Sequence, residues 1–178
     1  MTHLLLALSG AALGGFLATL GEYWIHRGMH NKMMLSKRHA DHHRQGEGQG
    51  VFWEFFDYSI GSLVGVGALA GADYAWLTGG WLFGGALGGV VAHAIFAAWA
   101  HQAQHEDARL CPWMTMPVHF VHHKLGQSRH NFGISVDWWD KVFGTYKYDP
   151  QWRRFVDETA PRRAFWQVDW RDNRRPAS

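Results

Sequence analysis

The chemistry legible in this sequence is carried by histidines at helical spacings. The segment HFVHH sets His119, His122 and His123 three and four residues apart, which on a helix gathers three imidazoles onto one face. An earlier segment, HADHH, repeats the pattern with His39, His42 and His43. Each has a companion pair at i, i+4: His26 with His30 in HRGMH, and His101 with His105 in HQAQH. Neutral imidazole is the commonest biological metal ligand, and one ion takes roughly four to six donors. Ten histidines are therefore too many for one ion and suit two. A zinc protease is excluded, because no HExxH occurs and Arg27 stands in HRGMH where the catalytic Glu would be.

The elements that must position these side chains are apolar. Residues 4–25 contain no Lys or Arg and a single acid, Glu22, and at ~1.5 Å per residue they are long enough to cross a bilayer core. No positive segment precedes them and the apolar run continues into His26, which favours a membrane helix over a cleaved leader. Two more crossings are expected at about 53–71 and 81–104, joined by ADYAWLTGG; the first of them carries Glu54 and Asp57 in its opening turns. Glycines four residues apart, Gly61 with Gly65, Gly67 with Gly71, Gly80 with Gly84 and Gly88, and Gly85 with Gly89, predict that these two helices form a tight hairpin. All seventeen Lys and Arg lie in 27–44 or 109–175. By the positive-inside tendency both basic regions face the cytoplasm, the N-terminus lies outside, and all four histidine clusters fall at one membrane face.

Composition agrees with a single all-α integral membrane domain over residues 1–178, with about three transmembrane helices and a cytoplasmic helical cap formed by 26–50 and 106–178. Apolar residues make up 47% and charged residues 18% of the chain. The mean hydropathy of −0.24 averages over strongly apolar and strongly polar segments. One cysteine, Cys111, excludes an intrachain disulfide and a CxxC ribbon, and a net charge of +2 gives no footprint for nucleic acid. Gly65-Val-Gly67-Ala-Leu-Ala70 matches GxGxxA in form, but no acid follows about twenty residues later, so these read as packing glycines. The tail 146–178, with Trp152, Trp166 and Trp170, is expected along the membrane surface.

The boxes HRGMH, HADHH, HQAQH and HFVHH, followed by HNFGISVDWWDKVFGT, resemble the fatty acid hydroxylase / sterol desaturase superfamily of membrane di-iron oxygenases, from Glu22 to about Tyr146. The compact chain and the spacing of its boxes are also similar to bacterial carotenoid hydroxylases. The resemblance implies a dioxygen-dependent hydroxylase or desaturase acting on a fatty acyl chain, sterol or carotenoid at the cytoplasmic face. It implies two Fe ions, with zinc as a substitute in purified samples, since imidazole alone does not select iron. With no CxxCH present, electrons must come from a separate ferredoxin, cytochrome or reductase. Carried over to this sequence, the ligands are His26, His30, His39, His42, His43, His101, His105, His119, His122 and His123, with His130 either a ligand or a partner of one. Glu22, Asp41, Glu106 and Asn131 are placed to hydrogen-bond ligand imidazoles from behind, Asp107 is read as a solvated acid, and Asp137 and Asp140 tie the last loop to the ligand helices. His93, deep in an apolar helix, reads as a structural histidine or part of a substrate channel. The competing function is a non-catalytic histidine-rich membrane protein that binds or transports metal. Transport, however, would place ligands near the bilayer midplane, where only His93 lies.

Overall fold

A computed structural model describes residues 1–33, 35–156 and 159–171, with the backbone alone at residues 57, 58, 60 and 61. The described residues are helical and contain no strand. Three long helices, α1 (Thr2–His30), α3 (Val51–Trp76) and α4 (Trp81–Glu106), are joined by the short α2 (Ser36–Gln45) and followed by α5 (Val118–Lys124) and α6 (Trp138–Val142).

The long helices outrun the apolar segments that predict them. α1 continues past residue 25 to His30, so the first histidine pair rides on the membrane helix itself. α3 absorbs most of the expected connector and runs to Trp76, leaving a turn of four residues. Asp73 explains this extension. Its carboxylate accepts hydrogen bonds from the backbone N–H of Thr78 (3.0 Å) and of Phe83 (3.2 Å), closing the turn that Gly79 and Gly80 make possible with φ of 69° and 86°.

α1 and α4 run parallel, as the stacked rings of His3 and Trp81 at their starts record (centroids 5.1 Å apart). Their crossing is made by glycine. A Cβ on Gly10 would collide with Leu82 O, on Gly14 with Ala86 O, on Gly85 with Ala7 O and on Gly89 with Ala11 O, so the two backbones touch. Gly65, Gly67, Gly71, Gly84 and Gly88 have open space around them. Of the expected pairs, Gly85 and Gly89 thus pack against α1, with Gly10 and Gly14 opposite, and the described glycines of the α3–α4 hairpin form no close seam.

α1 and α4 are long and apolar enough to cross a membrane, with mean hydropathies of 1.9 and 1.6 over windows only 17% and 28% buried. Leu4, Leu5, Leu8 and Leu13 are all more than half exposed. Apolar surface of this extent, left outside the protein core, is consistent with a membrane protein. The packed core lies instead at the histidine-bearing end, where Met114, Met116, Val118, Val121, Trp152 and Val168 are buried together. The described part of the tail, 146–156 and 159–171, is thus brought into that core by Trp152 and Val168. It is fixed by the N–H groups of Val51 and Phe52, which donate to Asp169 O and Trp170 O, while Phe165 and Trp166 stay exposed.

Candidate metal centre

Four helix ends converge. α1 supplies His26 and His30, α2 supplies His39, His42 and His43, α4 supplies His101 and His105, and α5 supplies His119, His122 and His123. They sort into two groups. In the first, His26, His30, His39, His43 and His122 bring one ring nitrogen each within 4.8 Å of one another; in the second, His42, His105, His119 and His123 do the same. His42 also lies within that distance of Glu54 and His101. Each HxxHH is therefore divided between the groups and does not serve one face. His39 and His43 go to the first and His42 to the second, while His119 and His123 go to the second and His122 to the first. The stacked rings of His43 and His123, with centroids 3.9 Å apart and planes at 6°, join the two groups.

The ring orientations are imposed from outside. His26 Nδ1 lies 2.7 Å from Phe132 O, His122 Nδ1 lies 2.8 Å from His130 O and His105 Nδ1 lies 3.2 Å from Gly46 O. A carbonyl can only accept, so each of these nitrogens carries the proton and the opposite Nε2 presents a lone pair. In the first group the Nε2 atoms of His30 and His39, and of His30 and His122, approach to 2.8 Å. Those of His39 and His43 approach to 3.0 Å. Nε2 of His26 and Nε2 of His123 are buried without a hydrogen-bond partner among the described residues. Lone pairs converging in a buried site repel unless a cation lies among them, and nitrogens ~2 Å from a common ion stand about this far apart. The donor set fits metal ions.

Burial drives the protonation state the same way. Desolvation, with help from neighbouring imidazoles, lowers His39 to about 2, His42 and His122 to about 3 and His43 to about 4, and holds His119 and His123 well below the ordinary histidine value. All six are neutral near pH 7, the form that binds metal.

The loop 130–136 supplies the orienting carbonyls because its amides are held by carboxylates. Asp140 accepts from the N–H of Phe132 (2.8 Å) and Gly133 (2.7 Å), and Glu22 accepts from the N–H of Ile134 (2.7 Å) and Ser135 (2.8 Å). Asp140 thus braces the loop from α6 and also accepts from Thr145 Oγ1, while Asp137 pairs with Lys141. Contrary to the sequence expectation, neither acid reaches a ligand helix directly; Glu22 of α1 makes that link. Gln104 completes the frame: its Oε1 accepts from the N–H of His119 (3.0 Å) and its Nε2 donates to Ile134 O (2.7 Å).

Several sequence expectations resolve differently. The His130 ring belongs to neither group, and the residue contributes its carbonyl. Glu22 anchors the loop and faces His93, Asp41 pairs with Arg44, Glu106 with Arg163 (2.5 Å), and the Asn131 side chain bonds Lys147 O (2.9 Å). Asp107 is buried, satisfied by the Arg109 guanidinium at 2.7 Å. The carboxylate that does meet a ring of this centre is Glu54, whose Oε1 is 3.1 Å from His101 Nδ1, both side chains fully buried. One of two acids in the opening turns of an apolar helix was its signal in the sequence.

An apolar groove runs up to this centre. A cavity of about 410 Å³ between the long helices is lined by Leu13, Leu17, Val66, Leu69, Phe83 and Val90. Through shared walls at Ala18, Ser62 and Val90 it meets a neck of about 30 Å³ bounded by Glu22, Ile25, His93, Ala97 and Ile134. Ile25 directly precedes His26, and Ala97 lies one turn before His101. His93 lines the neck, with Nε2 3.2 Å from Glu22 Oε2.

By fold and site this is a helical protein with two helices long and apolar enough to span a membrane, ending in histidine groups that could hold metal ions. Residues 11–145 match the family Fatty acid hydroxylase, and the chain belongs to that family, within the fatty acid hydroxylase / sterol desaturase superfamily. The family is typically metal-dependent and its members are oxidoreductases. No curated protein and no solved structure matches the chain.

Proposed function

We propose that this protein is a multi-pass membrane lipid hydroxylase or desaturase that uses dioxygen, a pair of iron ions held by the ten histidines, and electrons from a separate carrier. The observation that carries this reading is the placement of two convergent histidine groups beside the narrow neck of an apolar groove, whose wall residues Ile25 and Ala97 precede His26 directly and His101 by one turn. α1 and α4, the two helices long and apolar enough to span a membrane, run parallel and end in histidines; a third crossing by α3, which connects them in sequence, would put both groups at one face. The basic residues of 27–44 and 109–175 favour the cytoplasm for that face.

When bound, the metal pair would supply the dioxygen-activating redox chemistry that side chains lack. His26, His30, His39, His43 and His122 would hold one ion, and His42, His105, His119 and His123, with His101, the other, Glu54 standing behind His101. The chain's own part is positional. The groove walls take an apolar lipid chain out of the bilayer and align it with the neck, and the tight neck keeps bulk water from the reacting carbon.

Lipids extracted from cells with and without the protein, compared by mass spectrometry, test the reading. A product with one added oxygen, or with two hydrogens lost, is expected, and it should vanish together with bound metal in His39→Ala, His43→Ala, His119→Ala and His123→Ala. Unchanged lipids in the presence of exchangeable zinc would replace the oxygenase with a metal-handling protein.

A further inference from the structure

The groove ends beside the centre; a separate opening exposes the centre's own rings. A cleft of about 550 Å³ has His30, His39 and His43 of the first group in its walls and Lys32 and Lys37 at its rim. Both lysines are exposed, and no carboxylate lines the cleft among the described residues. Arg38 and Arg129, each next in sequence to a cleft residue, are exposed as well. The nearby acid on α2, Asp41, is paired with Arg44. The cleft is thus a concave positive surface with metal-site imidazoles in its walls.

Its rim is also apolar and held in shape. Met33 and Leu35 are 63% and 40% exposed beside the lysines. Lys32 and Leu35 keep left-handed backbone, with φ of 60° and 62°, which disfavours a non-glycine residue and persists only where the surroundings impose it. The rings of His26, His101, His119 and His122 are completely buried. His105 of the second group lines a smaller cleft of about 260 Å³, but Glu47, Glu106 and Asp169 share its walls, a lining less suited to an acidic partner.

We propose that this cleft is the docking site of an acidic one-electron carrier protein, its carboxylates meeting Lys32 and Lys37 and its apolar contact surface meeting Met33 and Leu35. The proposal rests on the oxygenase reading. Placing one atom of dioxygen in a C–H bond and releasing the other as water consumes two electrons and two protons, so two carriers are each oxidised by one electron per turnover. A carrier seated here would hand its electron to the edge of an imidazole in the cleft wall, with no intervening protein backbone. Charge complementarity of this kind raises the association rate and is weakened by salt.

The test is binding of a reduced acidic [2Fe–2S] ferredoxin, and of an acidic cytochrome b5, to the full chain in nanodiscs of neutral phosphatidylcholine, read by interferometry at low and physiological ionic strength. At least one carrier should bind, with affinity that falls about tenfold with salt and about tenfold in Lys32→Glu/Lys37→Glu, while Arg153→Glu/Arg154→Glu on the exposed turn Trp152–Phe155 leaves it unchanged. Equal binding by wild type and the lysine variant, equal loss in both variants, or no binding by either carrier overturns the proposal. So does a lysine variant that keeps carrier affinity but loses affinity for vesicles of anionic phosphatidylglycerol, since the lysines would then serve lipid headgroups. Lipid oxidation by wild type with electrons from reduced methyl viologen reports the oxygenase reading separately.

Discussion

Glu54 Oε1 lies 3.1 Å from His101 Nδ1, with both side chains fully buried, at the point where the start of α3 meets the end of α4. A carboxylate in this position fixes the proton on Nδ1 and raises the basicity of Nε2, the ring's remaining donor. Removing it leaves His101 free to turn. Glu54→Ala is expected to weaken metal retention by ~10–100-fold at the second group and to leave the first occupied. Metal content per chain, measured after dialysis against graded chelator, should fall from two ions towards one; two equally retained ions would show that Glu54 does not act on the centre.

Gly133 is hemmed in by backbone: a Cβ there would collide with Val136 O and lie 2.9 Å from Asp140 Oδ2. Its neighbour Phe132 gives the carbonyl that orients His26. Gly133→Ala should therefore cost ~1–3 kcal/mol of stability and lower metal content together, whereas Gly65→Ala, in open space, should change neither. Thermal unfolding in detergent and metal analysis of the same samples check this. Equal behaviour of the two variants would remove the loop from the account of the site.

What was legible in the sequence follows from what helices impose on side chains. Spacings of three and four marked the ten histidines, and the absence of Lys and Arg from 1–26 and 45–108 marked where lipid lies. The division of each HxxHH was hidden, because on a helix positions i+3 and i+4 fall on opposite sides of position i. His42 and His43 therefore diverge, and which group each joins depends on the helix opposite. The orienting groups escaped for a different reason. The carbonyls of Gly46, His130 and Phe132 leave no residue-type signature, and acids adjacent in sequence to histidines, such as Asp41 and Glu106, found basic partners instead. Glycine spacing, for its part, marked helices able to pack closely without naming their partners.

The depressed histidines predict acid lability of the metal-free protein. In the unfolded chain these groups take up protons near their ordinary value of 6.5, whereas in the fold His43 resists until about 4, His42 and His122 until about 3, and His39 until about 2. The unfolded state thus binds more protons throughout that interval, so stability falls as pH drops below 6.5 and levels off only as the folded histidines protonate in turn. Above about pH 7 these groups make no contribution to any slope. The unfolding midpoint of metal-stripped protein should decline steadily from about pH 6.5 to about pH 4, and a flat midpoint across that range would contradict the burial of these rings.

The crossing of α1 on α4 is far from the metal centre, yet it should govern it. Gly14 touches the Ala86 backbone twelve residues before His26, which is ~18 Å along the helix, and the two helices carry four of the ten histidines. A branched side chain at the contact must push the backbones apart, and because both helices are rigid the displacement is delivered to their ends. Gly14→Val is expected to lower metal retention at both groups, since His26 and His30 shift relative to His101 and His105. Gly84→Val and Gly88→Val, at positions with nothing within 4 Å, should retain metal as the parent does. Metal content and circular dichroism of the three variants in detergent decide the matter: helicity should be preserved in all three and metal lost in one, and full metal retention in Gly14→Val would show that the cap, held by its own core around Met116 and Val121, positions the histidines without the membrane helices.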